Sequence, residues 1–349
     1  MALVLVIGGA GYLGSALCRE LLDRGHRVRA LDALLYGAAP LEALLTHPRF
    51  ALVAGDTRDA RALSDAFEGA TAVAHLGELA GDPACAANEA LARQINGAAT
   101  RRVIELASGL GVGRFVYASS CSVYGDAGGV VDERTPPNPL SPYARFKLAA
   151  EAALLERARN GFEPVVLRLA SVFGLSARPR FDLVVNQLAA RAAAGRRVDV
   201  FGGGQWRPFL HVRDASCALA SALEAPRATV AGRVVNVGAF NQTLRGVAEA
   251  IARVVPEVRL VPREATPDPR CYRVSFAHMG DALDFRPSRD LASGVCEIVA
   301  AIRGGQIGDY TAPCFHNQEA LADPAVQLRL RRPFGSLRAT AGGGSLVRS

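Results

Sequence analysis

With 349 residues, 50% of them hydrophobic and 21% charged, the chain has the composition of a well-buried globular protein of one large domain or two joined ones, which excludes a disordered chain. The formal charge of +7 comes from arginines spread thinly along a sequence with only 6% aromatics, so a solvated basic surface suited to small anionic ligands is expected and a nucleic-acid partner is not. No apolar run approaches the roughly 18 residues of a membrane span, and the 7 cysteines are scattered without C-x-x-C spacing. No membrane segment, metal site or disulfide framework is therefore expected, and reduced thiols point to the cytoplasm.

Residues 2–7 are continuously apolar and run straight into glycines, with no basic leader or cleavage site, and read as a buried first strand. The strand ends in Gly8-Gly-Ala-Gly11-Tyr-Leu-Gly14, followed by an amphipathic pattern through Leu17, Leu21 and Leu22 that Gly25 closes. Glycines at this spacing allow a tight turn and let a pyrophosphate approach the free N–H groups of the helix N-terminus. Residues 26–31 form a second strand with Asp32 at its end, where a carboxylate accepts adenosine ribose hydroxyls and repels a 2′-phosphate. NAD is expected rather than NADP, although Arg29 lies nearby.

Further strands are predicted at 50–54, ending in Gly55-Asp56, and at 72–76, ending in His75-Leu76, with a helical stretch over 88–106. Residues 114–118 are a fifth strand that delivers Ser119-Ser-Cys-Ser122 at its carboxyl end, where ligands sit in open α/β sheets. This alternation specifies an α/β fold built on a doubly wound parallel Rossmann sheet. Four prolines between 130 and 142 predict an irregular loop.

After that loop comes Ser141-Pro-Tyr-Ala-Arg-Phe-Lys147, in which Lys147 is the only lysine among 40 basic residues. Ser141 as N-cap and Pro142 at the first helical position start a helix on which Tyr143 and Lys147, four apart, share a face. An ammonium beside a phenol favours phenolate and lowers its pKa from about 10 towards the value a general base needs. A planar guanidinium is not its equivalent. A sixth strand at 164–169 follows, then a helix at 181–195, a strand at 197–201, a Gly202–Gly204 turn, a strand at 234–237 and a helix at 244–255. The expected organisation is a dinucleotide-binding domain over 1–175, to which part of the later chain returns, a smaller substrate-binding lobe over 176–330, and a flexible tail over 331–349.

Together, the glycine motif, the acid after strand two, the serine cluster and Tyr-x-x-x-Lys resemble the extended short-chain dehydrogenase/reductase family, specifically its NAD-dependent nucleotide-sugar epimerases and dehydratases. Ala118-Ser-Ser-Cys-Ser-Val-Tyr-Gly125 is similar to the family's S-S-x-x-V-Y-G, and Gln205-Trp-Arg-Pro-Phe-Leu-His-Val-Arg-Asp214 to its R-x-(F/Y)-(I/V/L)-H-V-x-D. The resemblance implies a catalytic set of Ser120, Tyr143 and Lys147, in which Ser120 hydrogen-bonds the sugar O4, Tyr143 takes its proton, and Lys147 also binds the nicotinamide ribose. It implies that NAD is held by Gly8, Gly11, Tyr12, Leu13, Gly14, Asp32, Asp56 and Leu76. A nucleotide-diphosphate sugar would meet Glu78, Ser122, Ser171, Asn186, Arg207 and Arg270, with Arg263 the rival of Arg270, and a homodimer is implied.

Three departures bear on the reaction. Dehydratases of the family place Asp-Glu where this chain has Cys121-Ser122, which favours 4-epimerisation through a 4-keto sugar over 4,6-dehydration, decarboxylation or ketoreduction. Ser171 replaces the substrate-binding Asn after strand six. Gly77-Glu78 replaces the usual Ala-Ala, leaving Glu78 to contact the sugar or to face solvent. Asn96 is expected to pack its helix, His75 to be a satisfied core histidine, His211 to hold a loop and Asp214 to cap the helix after it. A non-catalytic NAD sensor is disfavoured because it has no use for a tuned phenol.

Overall fold

In the computed structural model, which describes residues 2–159, 161–264, 270–331, 337–340 and 347–348, the central strands are apolar on both faces. In β1 (Leu3–Ile7), Val4 and Val6 enter one apolar layer while Leu5 and Ile7 enter the other. This two-sided burial is what a parallel strand covered by helices requires. Next in sequence are β2 (Arg27–Asp32), β3 (Phe50–Ala54), β4 (Ala72–His75) and β5 (Arg114–Ser120). The sheet runs Arg233–Val237, Glu163–Leu169, β5, β4, β1, β2, β3 in parallel register. The order reverses between β1 and β4, and the crevice above their carboxyl ends is where such sheets bind ligands.

Most of the tail expected over 331–349 lies outside the described residues, and the described part holds short paired stretches. The backbone of Leu337–Thr340 runs antiparallel to β3, and Val347–Arg348 pairs with it in turn. An edge strand offers unpaired N–H and C=O groups that another strand can satisfy, and no periodicity is needed for that. The predicted loop over 130–142 also differs at its start, because Asp126–Val131 is a strand paired with Cys271–Val274. The helix expected over 88–106 is broken by a wider-wound stretch, Arg93–Ala99, between Glu89–Ala92 and Thr100–Gly109.

The second lobe joins the strands Ser171–Phe173, Trp206–His211 and Phe240–Thr243 to helices that bury Phe173, Phe181, Phe209 and Ile298. Its last helices, Asn317–Ala322 and Pro324–Arg331, leave it again. Leu321, Val326 and Leu330 pack against Leu79, Leu91 and Ile95 of the Rossmann half, and Arg58 Nη2 donates to Leu330 O at 2.8 Å. These two helices are a part of the later chain that packs on the Rossmann half.

Behind the serine-bearing end of β5 lies a buried polar network. Arg168 Nη2 meets Glu151 Oε2 at 2.7 Å with both side chains almost wholly buried, Ser119 Oγ donates to Glu151, and Arg168 Nη1 donates to Tyr124 OH at 3.0 Å. Glu151→Ala leaves the guanidinium charged and unpaired inside the protein, and is expected to destabilise it by about 3–5 kcal/mol. Urea unfolding followed by circular dichroism measures this.

Candidate active site

The glycine loop is shaped by contacts that leave no room for a side chain. Gly8 has φ +86°, and a Cβ there would come within 2.7 Å of Gly77 Cα. A Cβ on Gly14 would fall on the Gly8 carbonyl oxygen. Gly11 is the N-cap of α1 (Tyr12–Asp23), whose first N–H groups thus face an open cradle of bare backbone. Asp32 accepts from Ala10 N at 2.9 Å and Leu34 N at 2.7 Å, and lines a pocket with Gly8, Asp56 and Leu79. These residues fit a dinucleotide. Gly14→Ala must shift this backbone, a strain of about 1–3 kcal/mol, and is expected to lower NAD affinity roughly 10- to 100-fold by calorimetric titration.

Arg29 donates to the carbonyls of Asp65, Ala66 and Glu68, so it serves the end of a helix on the far side of β2. Asp56 lines the pocket but is also gripped by Arg58, whose Nη2 lies 2.7 Å from Oδ2. Asn96 brackets Leu79 by accepting from its N–H and donating to its carbonyl, both at 2.9 Å. That is the packing role expected of it.

A cleft of about 570 Å³ continues from the glycine loop, in the size range of small-molecule sites. Gly8, Tyr12, Leu13, Gly14, Leu76, Ser120, Ser122, Tyr143, Lys147, Ser171, Arg207 and Arg270 all line it. The helix bearing Tyr143 and Lys147, Pro142–Leu155, begins as its sequence dictates, with Ser141 Oγ accepting from Ala144 N at 3.2 Å and Pro142 at the first position. Ser120 ends β5 and accepts from Ser122 N at 3.1 Å. The Ser122 hydroxyl is buried and has no hydrogen-bond partner among the described residues.

At the centre of the site, the solvent-facing alternative for Glu78 and the direction expected for Tyr143 are corrected. Glu78 lines the cleft but does not face solvent. It is buried, and its Oε2 lies 2.9 Å from Lys147 Nζ, while Oε1 accepts from Tyr117 OH at 2.7 Å and Thr100 Oγ1 at 3.1 Å. The apolar seat would raise its pKa, but the Lys147 ammonium outweighs this and holds Glu78 below the usual carboxylate range. Tyr143 moves opposite to the expected direction. Burial raises its pKa, Lys147 lowers it, and Glu78, Cys85 and Asp82 add to the rise. The ammonium is present, but its field is partly cancelled by a carboxylate.

Asn186 is not in the cleft. It is fully buried, accepts from Gly174 N at 2.8 Å and donates to the carbonyls of Gly174 and Arg180, holding that loop. Arg263 is drawn away by Asp199 at 2.8 Å, whereas Arg270 stays at the cleft, paired with Asp82 and joined through its carbonyl to Arg207. Asp82 also accepts from Ser141 Oγ. His211, not Asp214, caps its helix, accepting from Arg213 N at 3.2 Å, while Asp214 accepts from Ser288 N and Arg289 N. His75 donates or accepts at Thr100 Oγ1, 3.1 Å away. Its Nδ1 is buried with no hydrogen-bond partner among the described residues, and burial pushes its pKa down to about 4, so the ring is neutral.

Arg178 and Arg180 were not singled out from sequence. Both line the cleft opposite the glycine loop; Arg178 stacks on Tyr36 at 3.7 Å and its buried Nε has no hydrogen-bond partner among the described residues. An Arg-Pro-Arg run between strand and helix was the available signal.

The model of the NAD-dependent epimerase/dehydratase family matches residues 4–238. The uncharacterized UDP-glucose epimerase YtcB of Bacillus subtilis is 32% identical over 67% of this chain and 76% of its own. A dTDP-glucose 4,6-dehydratase of Streptomyces griseus is 30% identical over 85% of this chain and 93% of its own. Among solved structures, MoeE5 in complex with UDP-glucose and NAD superposes with a TM-score of 0.75 at 30% identity, over 87% of this chain and 99% of that one.

Proposed function

Since the chain belongs to the NAD-dependent epimerase/dehydratase family, we propose that it is a nucleotide-sugar 4-epimerase working through a transient 4-keto sugar. The observation that carries this is the turn after Ser120. Where a dehydratase needs an acid pair to expel a C6 hydroxyl, Cys121 is buried with its thiol donating to Arg168 O and its pKa pushed up by burial, and Ser122 offers only a neutral hydroxyl. Neither side chain can serve as that acid.

NAD, when bound, supplies the acceptor and then the donor of a hydride. In this reading Ser120 hydrogen-bonds the sugar O4, Tyr143 removes its proton as C4 gives up hydride, and the 4-keto sugar turns before hydride returns to the opposite face. Tyr143 then gives the proton back, so there is no net redox change. Arg207 and Arg270 hold the diphosphate of the sugar nucleotide, and Arg178 holds the pyrophosphate of the cofactor. The orphan Ser122 hydroxyl takes a sugar hydroxyl. The test is incubation with UDP-, dTDP-, GDP- and CDP-sugars, with products read by mass and NMR. An isobaric product inverted at C4 is expected; loss of water from the sugar would replace this reading with dehydration, the activity named for the Streptomyces griseus relative.

A further inference from the structure

Lys147 sits nearly buried in the wall of the cleft. It is 4% exposed, its Nζ donates to Ala118 O at 2.5 Å and lies 2.9 Å from Glu78 Oε2, and the rings of Tyr117 and Tyr143 are 4.6 and 5.5 Å away. An ammonium has three donors. The backbone takes one, and Glu78 Oε2 stands at ion-pair distance from the charge. The Glu78 carboxylate is itself fixed by Tyr117 on β5 and by Thr100 on the helix Thr100–Gly109. A freely rotating lysine head is thereby held in one orientation.

Resting on the reading of Tyr143 as the base, we propose that Glu78 is a positioning residue, a buried counter-ion that aims the Lys147 ammonium and limits how much of its charge Tyr143 feels. The groups facing the pair are few. The helix Asp82–Ala87 contributes Asp82, which is paired with Arg270, and Cys85, whose thiol is pushed up to about 12 by burial and stays neutral. β4 contributes the neutral His75. β5 contributes Tyr117, held un-ionised by burial and Glu78. Glu78 is therefore the one carboxylate in contact with Lys147 among the described residues. It raises the lysine pKa above the ordinary value although burial pulls the other way, and it raises that of Tyr143. The phenol accordingly begins to act as a base at higher pH than it would beside a bare ammonium.

The single lysine makes this directly measurable. Protein labelled with 13C,15N-lysine gives one side-chain amine to titrate by NMR. In the wild type it is expected to titrate above 10.5, and in Glu78→Gln about one to three pH units lower. The acid limb of the pH profile of kcat/KM should move to lower pH in the same variant. Glu78→Ala, smaller and equally uncharged, is the second variant should the amide fail to fold. A wild-type amine that titrates below 10.5, or variants that titrate with the wild type, would overturn the inference. A shifted amine in a protein that yields no C4-inverted product would leave the counter-ion standing and overturn only the epimerase reading.

Discussion

Tyr143→Phe is expected to reduce turnover about 10³-fold, within the range for loss of a positioned general acid–base, while bound NAD is retained. The ring is half-buried and packs with Leu35 and Phe146 against the Leu79–Ile95 cluster, contacts that phenylalanine keeps. Only the hydroxyl is lost, so the protein should melt as the wild type does. Absorbance of the released cofactor and steady-state rates check the two halves of the expectation. A variant that keeps its rate within tenfold would move the base elsewhere, for instance to one of the other phenols lining the cleft, Tyr12, Tyr36 or Tyr272.

Lys147→Arg keeps the charge and is nevertheless expected to lose about 10²- to 10³-fold in kcat/KM. The space is closed by Ala118 O, Glu78 and the ring of Tyr117, and a larger planar head there brings overpacking of about 1–3 kcal/mol. A guanidinium also forks naturally onto a carboxylate. It would be captured by Glu78, and the charge would be drawn from beneath Tyr143. Rates together with the melting temperature separate the chemical loss from simple destabilisation. Wild-type activity would show that the chain's one lysine is not retained for its amine.

Where the sequence reading succeeded, the signal was local. The glycine spacing, the Ser141-Pro142 helix start and the Tyr143/Lys147 pair each occupy fewer than eight consecutive positions, and backbone sterics and helix periodicity act over that range. Asp32 could be placed because its strand ends there. Glu78 stands out in the sequence as a departure, but its partner is not legible there, because Lys147 and Tyr117 approach it only when β4, β5 and the helix Pro142–Leu155 are packed together. Asn186 illustrates the reverse: a polar residue at the right position for a ligand, consumed instead by the backbone of Gly174 and Arg180. A buried amide must satisfy its groups with whatever surrounds it.

The pKa direction of Tyr143 follows the same division. One helical turn is enough to predict a neighbouring cation, yet the net shift depends on desolvation and on every charge within several ångströms, including Glu78 and Asp82. Neither can be placed beside Tyr143 from sequence.

By itself, the sequence determined the parallel sheet, the dinucleotide turn, the preference for NAD and the shared helix face of Tyr143 and Lys147, because periodicity and short spacing are preserved in any compact fold of the chain; the roles proposed for Ser120, Tyr143 and Lys147 rest on the family resemblance. Tertiary structure alone decided which arginine stays at the cleft, that 317–331 return to the Rossmann half, and that Lys147 is paired with Glu78. Each of these depends on burying a charge or an apolar face against a distant segment: Arg270 on Asp82, Leu330 on the Leu79 cluster, Lys147 on Glu78. Such partners are chosen by the free energy of desolvation, which no stretch of sequence carries on its own.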